Sequence, residues 1–127
     1  MSKPYVLDAS AILAVLNDEK GGDMVEALLA ESAVSVVNLA EVYTKLIDGG
    51  LDEQDAKESI ALLGLQVRDF DEEQALLSAA LRPATKRLGL SFGDRCCLGL
   101  AIKIKATAVT AEKSWSKLNV CRTKIIR

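Results

Sequence analysis

Histidine is missing altogether from these 127 residues. Its absence removes imidazole general bases, Ser–His triads and imidazole metal ligands. Any chemistry must run on carboxylates, hydroxyls, thiols, lysine or arginine. Proline is scarce, with two in the chain beside eight glycines, so no stretch has the composition of a low-complexity linker. The cysteines Cys96, Cys97 and Cys121 are odd in number and lack zinc-ligand spacing, which reads as reduced, packed thiols. No apolar run approaches the ~20 residues of a membrane span. Met1-Ser2-Lys3-Pro4 leads straight into a strand-like segment without an apolar signal region. A soluble cytoplasmic protein with one domain over residues 1–127 is the expectation.

What is present is a hydrophobic half, enough for a real core, and a hidden charge asymmetry. Residues 1–81 carry 16 of the 18 acids and 5 of the 16 bases, whereas residues 82–127 carry 2 acids and 11 bases. A net −2 conceals this split. It suits either two solvated faces that pair in the fold or a polyanionic partner for the second segment.

Short β-forming runs recur at Tyr5-Val6-Leu7, Ala33 to Val37, Leu65-Gln66-Val67, Ala108-Val109-Thr110 and Val120 to Ile126. Between them, Leu39, Val42, Tyr43, Leu46 and Ile47 have amphipathic helical spacing that Gly49-Gly50 ends. Asp52 opens a helix carrying Ala56, Ile60 and Leu63. Another spans Asp71 to Pro83, with Leu76, Ala79 and Ala80 expected inward. A fourth, Ser91 to about Lys105, is apolar nearly all round and should be buried centrally. Alternating strands and helices predict an α/β fold, a three-layer α/β/α sandwich around a mostly parallel sheet.

In such a fold the strand ends and the following helix starts share one edge, where sites form. Asp8 directly follows the first strand, and Glu41 is expected in the first turn of the next long helix. Asp94 falls in the first turn of the buried helix, and Glu112 follows the fourth strand. Separated by 33, 53 and 18 positions, the four acids converge on that edge. Two like charges ~4 Å apart cost ~4 kcal/mol at an effective dielectric near 20, so such a cluster calls for a cation. All-oxygen ligands select Mg²⁺ or Mn²⁺, which serve phosphodiester hydrolysis.

Each acid also has an ordinary structural role open to it. Ser91 with Asp94 and Asn38 with Glu41 have capping-box spacing, Asp8 or Ser10 can cap a helix, and Glu112 can be a turn residue. Asp71 with Gln74 shows the same spacing with no catalytic implication. A phosphatase with a nucleophilic aspartate wants a second Asp where Ser10 stands. A phospho-receiver wants an acidic pair and a late lysine that this order does not supply, and no P-loop is present.

Four segments carry a family resemblance: Val6-Leu7-Asp8-Ala9-Ser10-Ala11; Val37-Asn38-Leu39-Ala40-Glu41-Val42; Gly89 through Leu98, containing Ser91-Phe92-Gly93-Asp94-Arg95; and Thr110-Ala111-Glu112-Lys113-Ser114-Trp115. In order and spacing the chain resembles the PIN-domain family along its whole length, and within it the VapC-type toxin ribonucleases of type II toxin–antitoxin systems. The resemblance implies an Mg²⁺- or Mn²⁺-dependent endoribonuclease with Asp8, Glu41 and Asp94 as core metal-binding acids. Glu112 is the fourth, where the family usually has Asp. Ser10 and Thr110 fall where supporting hydroxyls are expected, and Arg95 and Lys113, with Lys86 and Arg87, on a rim that would meet RNA phosphates. Trp115, Cys96 and Cys97 read as core. The resemblance further implies an RNA substrate, a cognate antitoxin seated against the helices of residues 38–63, and a homodimer. A catalytically silent PIN-like scaffold is the alternative.

Overall fold

The computed structural model describes residues 3–127; Met1 and Ser2, on which the leader reading partly rests, lie outside the described residues. Five strands form one sheet: β1 (Tyr5–Leu7), β2 (Ser32–Ser35), β3 (Gln66–Arg68), β4 (Thr107–Thr110) and β5 (Thr123–Ile125). Their order is β3-β2-β1-β4-β5, and every pairing is parallel. β1 and β4 lie side by side at the centre, with Val6 opposite Ala108 and Leu7 opposite Val109. The chain progresses outward from β1 on one side and from β4 on the other. That reversal opens a crevice at the strands' C-terminal ends.

The helices are α1 (Ala9–Leu16), α2 (Gly22–Glu26), α3 (Val36–Asp48), α4 (Glu53–Ala61), α5 (Glu72–Ala80), α6 (Arg82–Thr85) and α7 (Phe92–Ile104). Strand alternation sends neighbouring side chains to opposite faces. Val6 and Ala108 join Leu98, Leu100, Ala101 and Trp115 in one core, while Leu7 and Val109 join Ile12, Ala14, Val42 and Leu46 in the other. Two cores around one parallel sheet make the expected three-layer α/β/α sandwich. Trp115 is wholly buried, as are Cys96 and Cys97.

Three expectations need correction. The second strand ends at Ser35 rather than Val37, because the Ser35 hydroxyl accepts the Val37 N–H at 3.2 Å and turns the chain into α3. Glu41 therefore sits in the second turn of α3, and Asn38–Glu41 is no capping box. Finally, Leu76 is 74% exposed, and Ala79 and Ala80 face solvent. The buried face of α5 is instead Gln74 and Ser78, seated against Gly99 of α7, where a β-carbon would stand 3.1 Å from Ser78 Oγ. Small and polar contacts, not an apolar stripe, decide that face.

Candidate active site

Asp8 ends β1 and caps α1. Its Oδ1 accepts the Ala11 N–H at 2.9 Å and the Ser10 hydroxyl at 2.7 Å, while Oδ2 accepts the Thr110 hydroxyl at 2.5 Å. Both hydroxyl protons are thus committed to Asp8, and the 3.3 Å between Ser10 and Thr110 oxygens is a contact only. The same oxygens accept in turn. Ser10 Oγ receives the Ala111 N–H at 2.9 Å, and Thr110 Oγ1 the Glu112 N–H at 3.0 Å. Two hydroxyls therefore tie the buried carboxylate to the turn that carries Glu112. Burial pushes the Asp8 carboxyl up to about 6; the bonds from Thr110, Ser10 and Ala11 oppose that rise and the charge of Asp94 adds to it.

Asp94 occupies the third position of α7 in a complete capping box. Its Oδ2 accepts the Ser91 N–H at 2.8 Å, and the Ser91 hydroxyl accepts the Asp94 N–H at 3.1 Å. Its structural role as a cap is real, yet it leaves Oδ1 uncommitted. Glu41 receives an Asn38 Nδ2–H at 2.9 Å on Oε1, and the same amide nitrogen donates to the Gly93 carbonyl at 3.0 Å. Asn38 is buried, and so couples α3 to the start of α7. Glu112 is exposed at the turn after β4.

All four acids line one cleft of about 210 Å³, together with Ala9, Ser10, Leu13 and Lys45. Asp8 is buried, Asp94 half-buried, and Glu41 and Glu112 are exposed. Among the described residues, however, no three acidic side chains already stand as an ion-holding group. Such a cleft, coming from α1, α3, α7 and the end of β4, suits a polyanion only if a cation offsets its charge.

The family model of the PIN domain matches residues 5–120. The chain belongs to the PIN domain family. Similar folds recur in solved structures, a toxin–antitoxin complex among them. One chain is from a Klebsiella pneumoniae complex (18% identity, 97% of this chain and 98% of that one, TM-score 0.75). Another is from Rickettsia felis VapBC2 bound to a promoter DNA fragment (19%, 94% and 96%, TM-score 0.72). A third is from Neisseria gonorrhoeae FitAcB (19%, 94% and 95%, TM-score 0.70). No curated protein sequence matches the chain.

Within this PIN domain the other expected rim residues separate. Arg95 turns to α5, where Nη1 donates to the Ser78 carbonyl at 3.1 Å and the guanidinium stands 5.8 Å from the Phe92 ring; it does not line the acid cleft. Lys86 and Arg87 are likewise outside the cleft lining, whereas Lys113 lines the cavity adjoining it. Sequence reasoning passed over Asn38 and Lys45 as site residues. Lys45 carried a readable signal, since it follows Glu41 by one helical turn. Asn38 and the closeness of Gly93 depend on a contact across 55 positions and had none.

Proposed function

We propose that this PIN domain is a divalent-metal-dependent endoribonuclease, the toxin of a toxin–antitoxin pair, acting in the cytoplasm. The convergence of Asp8, Glu41, Asp94 and Glu112 on one cleft carries this reading. The donor set fits a hard cation: oxygen ligands alone, from a chain without histidine. Asp8, Asp94, Glu41 and Glu112 would hold it, Glu41 from the position in which Asn38 fixes it and the exposed Glu112 reaching in from the rim. When bound, Mg²⁺ or Mn²⁺ neutralises the cluster and offsets charge on the phosphodiester. The chain's own groups do the rest. Asp8 is fixed by three donors, so its orientation is set before substrate arrives. The rim carboxylate of Glu112 would accept a proton from the water whose oxygen forms the new phosphorus–oxygen bond, while the bond to the leaving ribose oxygen breaks and that oxygen takes a proton from solvent. Glu112 is one methylene longer than the family's usual Asp, which suits a residue reaching in from the rim.

The proposed partners are RNA, an antitoxin and a second copy of the chain. The solved complexes of similar fold include toxin–antitoxin pairs, which supports the antitoxin. Val36, Ile47 and Leu62 leave 40%, 47% and 88% of their surface exposed on α3 and just after α4, an apolar surface suited to an antitoxin segment.

Purified, antitoxin-free protein incubated with cellular RNA tests the reading. Cleavage should require Mg²⁺ or Mn²⁺, stop in EDTA and be lost in Asp94→Asn, with the fold of the variant intact by circular dichroism. Folded protein that cuts no RNA under any divalent ion would replace this reading with a silent PIN-like scaffold.

A further inference from the structure

Beside the acid cleft, and sharing Glu112 with it, lies a wider cavity of about 460 Å³ lined by Lys20, Ala111, Glu112, Lys113, Ser114 and Arg127. Three cations and a hydroxyl there face a single carboxylate. The acid cleft has the opposite balance, with four carboxylates and Lys45. The two adjoin at Glu112.

The cavity is held by backbone packing rather than by chance placement of long side chains. Lys20 stands in the turn between α1 and α2, followed by Gly21 at φ +91°. A β-carbon on Gly21 would lie 2.5 Å from the Ile126 carbonyl oxygen, and one on Gly22 would lie 2.5 Å from that of Ala14. The turn is therefore pressed, main chain to main chain, against both α1 and the segment leaving β5. Arg127 fastens it from the far side: Nη1 donates to the Lys20 carbonyl at 3.0 Å and to Glu19 Oε1 at 3.1 Å. Its other guanidinium nitrogens have no hydrogen-bond partner among the described residues, and Lys20 and Lys113 form no ion pair there. Lys20 and Lys113, without an ion-pair partner among the described residues, stand with the Glu19-paired Arg127 on a held turn beside a cleft that repels anions, an arrangement that draws a polyanion towards that cleft.

We propose that this cavity is a phosphate subsite. In it Lys20, Lys113 and Arg127 act as positioning residues, holding the backbone of a single-stranded RNA next to the bond presented to the acids. Ser114 adds a neutral donor. The inference rests on the ribonuclease reading only for the choice of RNA as the polyanion. It also gives the basic second segment a use: of its eleven bases, Lys103 and Arg127 are in ion pairs among the described residues, and Lys113 and Arg127 line this cavity.

Binding of a fluorescein-labelled single-stranded RNA, measured by anisotropy in EDTA over a KCl series, separates this subsite from catalysis. Lys20→Gln and Lys113→Gln should each weaken binding and flatten the slope of log affinity against log salt by about 0.7, the value for one phosphate contact on a single strand. Lys105→Asn removes a cation at the other end of α7, at a left-handed φ that Asn tolerates, and should leave the slope unchanged. With Mn²⁺ present, each glutamine variant should raise KM roughly two- to fivefold, as for one exposed charge contact, at unchanged kcat. Wild-type slopes in both glutamine variants would overturn the subsite while leaving RNA cleavage standing. Altered slopes without cleavage under any metal would keep the subsite and overturn the ribonuclease. A wild-type protein that binds no RNA in EDTA would overturn the subsite, and the ribonuclease reading would still stand or fall on the cleavage assay with Mn²⁺.

Discussion

Gly93 and Glu41 fit so closely that a β-carbon at position 93 would lie 2.4 Å from Glu41 Oε2 and 2.6 Å from Oε1. The obstructing atoms are the end of a flexible side chain, so Gly93→Ala need not unfold the protein. Alanine is worth ~1 kcal/mol over glycine inside a helix, which offsets part of the disturbance. The carboxylate must instead leave the position where Asn38 holds it. We expect stability to stay within about 1 kcal/mol of wild type while cleavage falls roughly 10- to 100-fold, the range for lost support of a metal ligand. Paired thermal melts and RNA cleavage assays check this; unchanged cleavage would mean that Glu41 does not act from its observed place.

Asn38 supports the same carboxylate from the other side, and its two donations lie in a buried setting. Asn38→Ala removes both donations, one of them to the charged Glu41, a loss of about 1–3 kcal/mol. Asn38→Asp should cost more, about 3–5 kcal/mol at neutral pH, because it buries an unpaired charge beside Glu41. Urea denaturation would show the order. An aspartate variant as stable as wild type would contradict the bridging role.

How these features could be read from sequence divides along the range of the contact involved. That Asp8, Glu41, Asp94 and Glu112 line one cleft was legible because strand ends and the early turns of the following helices share an edge in a parallel sheet, whatever the loops between them do; Glu41 does so from the second turn rather than the first. The capping box of Ser91 and Asp94 was legible because its bonds span three positions. The inward face of α5 was not: hydrophobic spacing pointed to Leu76, but Ser78 and Gln74 face in because α7 presents Gly99 to them. Likewise the turn of Val36 and Val37 into helix reflects one hydroxyl at Ser35 overriding two β-branched residues. Gly93 read as part of a motif, but its use as clearance for Glu41 exists only in three dimensions.

The hydroxyl pair around Asp8 gives a pH prediction. Thr110 and Ser10 both donate to the carboxylate and hold its pKa below where burial alone would put it. Thr110→Val removes one donor, so the Asp8 pKa should climb further above about 6. The acidic limb of the pH profile of cleavage should then move to higher pH. Ser10→Ala should move it the same way by less, and Thr110→Ser should restore the wild-type limb. A limb that stays in place in Thr110→Val would show that another group sets it.

Asp8 itself exerts a cost on the fold that its replacement should reveal. Its folded pKa of about 6 exceeds the usual 3.8, so the folded chain binds this proton more tightly than the unfolded one. Stability therefore falls as pH rises from about 4 to about 6 and levels off above, a penalty on the order of 3 kcal/mol for this single group. Asp8→Asn abolishes the charge yet keeps a residue that caps α1 well. The variant should be more stable than wild type at pH 8 in EDTA, and that advantage should vanish below pH 4. Saturating Mn²⁺ should stabilise wild type by relieving the same penalty and should do far less for the variant, which should not cleave RNA. Urea denaturation at pH 4 and pH 8, with and without Mn²⁺, measures every part of this. An Asn variant less stable than wild type at pH 8 would show that the carboxylate is held for the fold rather than for the chemistry.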